Sequence, residues 1–390
     1  MLARTAKTFK ENYDIDVQIE QEVTEVLPQR QSIRVIDTHT QQERIVPYSR
    51  LLVATGARPI NPFSEVANAE NLMVIKSLAS GIFLKKYIDS KQVKKAVIVG
   101  GGYIGIELAE ALVLRDIQVT MLQRGAQVMG SLDPSMAQRV AAGLERHGIT
   151  LLTNTEVTGF EIQNNKVREV IANGHTLPAD LFILGMGVTP NAELAKSAGL
   201  HLGPANSIEV DDRLQTNVAN IWAAGDCCQS IHLVSNKPVY IPLGTTANKQ
   251  GRTAGINIGG GQAQFNGVMG TAITKFMDIE CARTGLNSKQ LDALGIDFVA
   301  GEISGKTLPR YYPGTAPLTV KLFAERNTRR ILGGQIVGGQ GSSKRIDTLV
   351  MALHAGFTLE DMLNVDLSYA PPFGNVWDPL VIAAREVLKQ

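Results

Sequence analysis

The sequence predicts an α/β protein built on parallel sheet over most of its length, followed by a separate C-terminal α+β domain. Three observations predict it. Short apolar runs end in glycine turns, one glycine-rich signature joins a strand to a helix, and the texture changes near Asn266. A chain of 390 residues is also too long for one ordinary core and suggests two or three domains.

The early strands come in order at residues 50–56 (RLLVATG), 96–102 (AVIVGGG), 118–122 (QVTML), 181–187 (LFILGMG) and 221–226 (IWAAGD). Each is short and apolar or β-branched, as strands buried on both faces of a parallel sheet are. Before them, a first strand-like run begins near Val17. Beyond Asn266, strand-like stretches at 271–282, 317–325 and 331–339 follow one another, with a hairpin turn at Asn327-Thr328. Helical patterns then occupy 345–354, 359–365 and 376–388. Strands grouped ahead of helices indicate a separate α+β domain.

Composition excludes several functions. The formal net charge is +1, so no basic field collects nucleic acid. With 44% hydrophobic and 19% charged residues the balance is globular. Three cysteines cannot build a disulfide framework, which fits a reducing compartment. No apolar run is long enough to span a bilayer, and residues 1–15 carry no apolar signal core. The expectation is a cytoplasmic protein with no membrane partner. No metal site is read from the sequence.

The strongest local signal lies in 93–124, VKKAVIVGGGYIGIELAEALVLRDIQVTMLQR. Gly100-x-Gly102-x-x-Gly105 closes a strand and opens a helix, with Ile104, Leu108, Ala111 and Leu112 expected to face inward. The first glycine permits the tight turn and the second lets the backbone approach a pyrophosphate. The third lets helix and strand pack closely, and the helix N-terminus favours negative charge. This pattern points to a dinucleotide. At the end of the next strand, where an acid would hold the ribose 2′-OH of NAD, stand Gln123 and Arg124. A missing carboxylate removes repulsion of a 2′-phosphate, and Arg124 could pair with it, which favours NADPH; read alone, Arg124 is equally a solvated loop residue.

Residues 216–226, TNVANIWAAGD, run from a polar turn into a strand ending in Gly225-Asp226. A carboxylate there can accept hydrogen bonds from a polyol. Together with VATGARP (53–59), VGGGYIGIELAE (99–110), YYPG (311–314), KRID (344–347) and YAPPF (369–373), this order resembles the pyridine nucleotide–disulfide oxidoreductases. The subgroup it looks most like contains coenzyme A-disulfide reductases, NAD(P)H sulfur or polysulfide reductases and NADH oxidases. The resemblance runs from Leu2 to the C-terminus.

The resemblance implies two doubly wound, three-layer nucleotide-binding domains, a FAD domain at 1–75 and 191–265 and an inserted NAD(P) domain at 76–190, followed by a C-terminal α+β dimerisation domain at 266–390. It implies a homodimer carrying FAD and NAD(P)H, which passes hydride to a disulfide, coenzyme A disulfide, persulfide, polysulfide or O2. Asp226 inherits the ribityl-binding role, and Thr55, Gly56, Gly187, Gly225 and Asn248 join the cofactor-binding set. Tyr103, Glu107 and Tyr369 inherit places at the reacting centre, and Tyr311, Tyr312, Lys344 and Arg345 places near the substrate. From the residues alone, Tyr103 also reads as a surface aromatic on the first helical turn, Tyr311, Tyr312 and Tyr369 as core or interface packing, and Glu107 as a solvated helix position. Lys344 and Arg345 begin a helix where the dipole disfavours cations, a hint of an anion. Trp377 falls where some coenzyme A-disulfide reductases carry a lysine. A ferredoxin-type electron-transfer reductase shares the nucleotide motifs but not YYPG and YAPPF.

The family's N-terminal GxGxxG and its redox cysteine, in a segment resembling S-x-x-N-C-G, do not occur in the sequence. Cys227 and Cys228 follow the Gly-Asp pair, and Cys281 reads as a small buried hydrophobe. The expectation is an incomplete flavin domain that binds FAD weakly or not at all. The alternative function is therefore a truncated, catalytically impaired NAD(P)-binding homodimeric remnant.

Overall fold

The structure, a computed structural model, describes residues 4–390; Leu2 lies outside them. The chain divides into two compact units. One takes the described part of Met1–Arg58 with Val188–Ile231 and Lys237–Gly267. The other takes Pro59–Gly187, His232–Asn236 and Val268–Gln390.

The larger unit holds a five-stranded parallel sheet in the order Leu72–Val74, Leu181–Leu184, Lys95–Val99, Gln118–Leu122, Thr150–Leu152. Successive side chains leave opposite faces of a strand, so a continuous apolar run must be buried twice. Ala96 and Ile98 pack with Ile106, Ala109 and Leu112 of the Tyr103–Val113 helix and Val140 and Leu144 of the Pro134–Arg146 helix. Val97 and Val99 instead meet Val167, Val170 and Ala172. Those belong to a three-stranded antiparallel sheet, Val157–Gln163, Lys166–Ala172 and His175–Pro178. The three layers are therefore helix, sheet and sheet.

The Tyr103–Val113 helix buries Gly105, Ile106, Ala109 and Leu112. Of the expected inward positions only Leu112 is buried; Ile104 and Leu108 are half-buried and Ala111 is exposed. Helical spacing gives a period but not a phase. Here Gly105 sets the phase, because a Cβ on it would stand 2.0 Å from the Gly100 carbonyl oxygen.

Within the same unit an antiparallel sheet runs Ala272–Phe276, Ile279–Gly285, Ile331–Gly338, Pro317–Glu325, Phe298–Lys306. Asn327-Thr328 lies in the turn between Pro317–Glu325 and Ile331–Gly338, as the sequence implies. The helices are Ile346–Ala355, Leu359–Leu363 and Pro379–Val387. The last starts later than its sequence pattern because Asp378 caps it, accepting from the Leu380 amide, and Pro379 occupies the first turn. Asp133, 3% exposed, ties the Pro134–Arg146 helix to this sheet. Its carboxylate pairs with Lys321 at 2.9 Å and accepts from Gln335 Nε2 at 3.1 Å.

The smaller unit contains an antiparallel meander, Gln21–Leu27, Ser32–Asp37 and Glu43–Pro47, so its first strand starts four residues beyond Val17. It also contains the parallel pair Leu51–Val53 and Ile221–Ala223. Val53, Ile221 and Ala223 join Val26, Ala195, Leu200 and Ile208 in its core. No helix among the described residues is long and apolar enough to cross a membrane.

Candidate functional site

In the larger unit the glycine turn has the stereochemistry its pattern requires. Gly100 sits at φ +111°, and a Cβ there would meet the Gly185 carbonyl oxygen at 2.4 Å. Gly102 is different: nothing lies within 4 Å of where its Cβ would be. Gly102 is also the N-cap of the Tyr103–Val113 helix, and no side chain caps that end. The turn thus offers open space and uncapped amides to an anion, and the residues present fit a dinucleotide pyrophosphate. Gln123 stands at the end of the adjacent strand, where its Oε1 accepts from the Gly101 amide at 2.9 Å. Arg124 next to it is exposed. Gly187, at φ +95°, follows the Leu181–Leu184 strand, and its carbonyl accepts from the Ile60 amide at 3.0 Å.

Tyr103 opens the same helix. Its hydroxyl stands 3.4 Å from Ser131 Oγ, and burial raises the phenol above its ordinary pKa. Glu107, one turn on, is exposed and accepts from Thr274 Oγ1 at 2.9 Å. Helix spacing alone puts Tyr103 and Glu107 on one face. Arg283 was not legible in the sequence. It is half-buried, donates to the Gly285 carbonyl at 2.6 Å and forms no ion pair within 4 Å among the described residues.

The smaller unit brings together the residues expected to face a flavin polyol. The strands Leu51–Val53 and Ile221–Ala223 are parallel neighbours, so Thr55-Gly56 and Gly225-Asp226 leave the same edge. Gly56 and Gly225 adopt φ +68° and +87°. The Thr55 hydroxyl donates to the Asn191 carbonyl at 2.6 Å, and Asn191 Nδ2 returns a bond to the Thr55 carbonyl at 2.9 Å. The Asp226 carbonyl accepts from the Tyr240 hydroxyl at 2.9 Å. Asn248 lies on the Gly244–Ile258 helix, whose N-terminus has no side-chain cap; its amide donates back to the Gly244 carbonyl. Two glycines at positive φ beside a half-buried carboxylate fit the ribityl part of FAD.

Gln250 was missed by sequence reasoning. It is fully buried: its Oε1 accepts from the Gly225 amide at 2.9 Å, and its Nε2 donates to the Gln229 carbonyl and Ser230 Oγ. Gln250 therefore fixes the Gly225-Asp226 turn from behind. Cys227 and Cys228 are free and buried. The Cys227 thiol is lowered chiefly by its contact with Cys228, while that contact and burial raise Cys228. Cys281 is a buried thiol pushed up to about 12 by burial.

In the C-terminal part of the larger unit, Tyr311 is 73% and Tyr369 45% exposed, and both line a cavity of about 520 Å³ with Arg310 and Trp377. Hydrogen bonding to Tyr311 raises the Tyr369 phenol. Tyr312 is half-buried beside them in sequence. Lys344 pairs with Asp347. Arg345 pairs with Asp378 at 3.2 Å and donates to the Thr307 carbonyl at 2.8 Å. Both cations thus have protein partners, which offset the unfavourable dipole without an added anion.

The family model described as pyridine nucleotide-disulphide oxidoreductase matches residues 3–251, and that family's dimerisation-domain model matches 271–380. The chain is 38% identical over 348 residues to an NAD(P)H coenzyme A polysulfide/persulfide reductase of Pyrococcus horikoshii, covering 89% of this chain and 77% of that protein. It is 33% identical over 391 residues to an NADH oxidase of Methanocaldococcus jannaschii, covering 100% of this chain and 86% of that protein. The solved structure of an NAD-dependent persulfide reductase from A. fulgidus superposes with a TM-score of 0.94 at 35% identity, covering 99% of this chain and 72% of that one.

Proposed function

This chain belongs to the pyridine nucleotide-disulphide oxidoreductase family, and from that premise we propose that it is a FAD-dependent NAD(P)H oxidoreductase. Its acceptors are a small disulfide such as coenzyme A disulfide, a persulfide or polysulfide, or O2. With a persulfide, one hydride from NAD(P)H and one proton from solution cleave the sulfur–sulfur bond. The products are a thiol, hydrogen sulfide and NAD(P)⁺. The relatives' names favour this enzyme reading over a catalytically impaired remnant. We assign the smaller unit to flavin binding, and within the larger unit Pro59–Gly187 to NAD(P) binding and Val268–Gln390 to dimerisation.

The observation that carries the reading is the open, uncapped turn at Gly102. The amides there bind the pyrophosphate in the space that Gly102 leaves open, while Gly100 permits the tight turn and Gly105 the close packing of helix on strand. Tyr103 and Glu107 line the reacting end of the nucleotide. Gln250 holds the Gly225 amide, which orients Asp226 toward the polyol. A bound FAD supplies the two-electron relay between nicotinamide and acceptor. Tyr369 and Tyr311 present their phenols on an exposed face that serves a second copy of the chain or the substrate. A reducing cytoplasm is the compartment proposed, which suits three cysteines that are all free thiols.

The test is steady-state oxidation of NADPH and NADH with added FAD and, in turn, polysulfide, coenzyme A disulfide or O2. Turnover that needs both FAD and one acceptor is expected. Nucleotide binding without oxidation under all three conditions would support the remnant instead.

A further inference from the structure

A dinucleotide held at this turn carries its adenosine ribose to the end of the neighbouring strand, and the residues there decide between NAD and NADP. In this chain that strand is Gln118–Leu122, and Gln123 follows it. Its amide donates to the Leu152 carbonyl at 2.8 Å and its carbonyl accepts from the Thr155 amide at 3.0 Å. Its Oε1 accepts from the Gly101 amide at 2.9 Å. The residue is therefore fixed on three sides, and its side-chain oxygen is committed to the glycine loop.

Two consequences follow from the chemistry of an amide. No negative charge is available to accept from a ribose 2′-OH. The remaining end of the side chain, Nε2, is a donor, and it stands 3.3 Å from where a Cβ on Gly125 would be, so it lies against the Arg124-Gly125 bend. The Asn154 amide donates to the Gly125 carbonyl at 3.0 Å and holds that bend in place.

Arg124 is exposed at the bend, and its guanidinium has no ion pair or hydrogen bond among the described residues. No Asp or Glu occurs from 118 to 132 or from 150 to 155, the two stretches that flank it. An exposed guanidinium near an amide donor, with no carboxylate in those two stretches, attracts a phosphate dianion far more strongly than a neutral hydroxyl.

We propose that Gln123, Arg124 and Gly125 form a 2′-phosphate subsite, which makes NADPH the preferred reductant. The proposal rests on the dinucleotide site argued above and deepens it. Gln123 acts by keeping the strand end neutral while bracing the Gly101 amide. Arg124 supplies the charge-assisted hydrogen bonds, and Gly125 leaves room for the phosphate beside Gln123 Nε2.

The experiment is calorimetric titration of the full chain with ADP-ribose and with 2′-phospho-ADP-ribose, neither of which requires flavin or turnover. The phosphorylated probe is expected to bind at least about tenfold tighter, with the margin narrowing as salt is raised. Arg124→Gln should remove most of that margin. Gln123→Glu keeps an acceptor for the Gly101 amide but adds a charge, so it should reverse the preference. Equal affinities in the wild type, or a margin that survives Arg124→Gln, would overturn the subsite while leaving the dinucleotide site standing. Failure of both probes to bind would overturn the dinucleotide site and the subsite with it.

Discussion

A methyl group added to each glycine of the turn separates folding from binding. On Gly105 it would be driven to 2.0 Å from the Gly100 carbonyl oxygen. Gly105→Ala should therefore lower stability by about 1–3 kcal/mol, read from urea unfolding. On Gly102 it would meet only open space. Gly102→Val should melt close to the wild type yet bind NADPH at least about tenfold more weakly, because its bulk fills the pyrophosphate's place. Unchanged affinity would remove Gly102 from the site. His232 gives a second residue-scale expectation. It is 1% exposed, and burial, followed by the nearby Arg283 charge, lowers its pKa to about 4. An unfolded histidine titrates near 6.5, so between those values the unfolded chain binds a proton that the folded chain does not. Stability should fall by about 2 kcal/mol from pH 7 to pH 5, and His232→Gln should flatten that slope. The glycines were legible because a fixed spacing encodes them. Gln250 and Asn191 were not, since their partners at Gly225 and Thr55 lie 25 and 136 residues away and only the fold brings them together.

Helices and strands differ in how much of their placement the sequence carries. Strands such as Pro317–Glu325 coincide with their apolar runs because nearly every interior side chain, on both faces, is buried. The Tyr103–Val113 helix kept its period but turned about its axis, since close contact at Gly105, not apolar spacing, decides which side faces the sheet. Element-to-element joints depend on single polar residues that no local pattern marks. Asp133 at the start of Pro134–Arg146 is the clearest, holding Lys321 and Gln335 of two sheet strands. Asp133→Ala leaves Lys321, 18% exposed, without its anion and should cost about 3 kcal/mol in urea unfolding. A change within about 0.5 kcal/mol would show that the joint is held by apolar packing alone. Gly143 marks a second joint, because a Cβ there would overlap Ile279 Cδ1 at 1.6 Å. Gly143→Ala should destabilise the chain, and adding Ile279→Ala should recover part of that loss, since the two share one space.

For the whole molecule, the exposed aromatics concentrate in its last third. Tyr311, Phe373 and Trp377 are 73%, 81% and 56% exposed. These side chains lie within 271–380, the stretch that the dimerisation-domain model matches. Sedimentation of the wild type should show a dimer, and Phe373→Glu with Trp377→Glu should shift it toward monomer; a dimer untouched by both changes would place the interface elsewhere. The functional account depends on one event, the capture of a reduced pyridine nucleotide at the turn around Gly102. Diffraction from crystals soaked in NADPH tests it most directly. The account predicts a diphosphate within hydrogen-bond reach of the Gly102 amide, with the ribose phosphate beside Arg124. An ordered nucleotide bound elsewhere, or an empty turn at saturating NADPH, would contradict it.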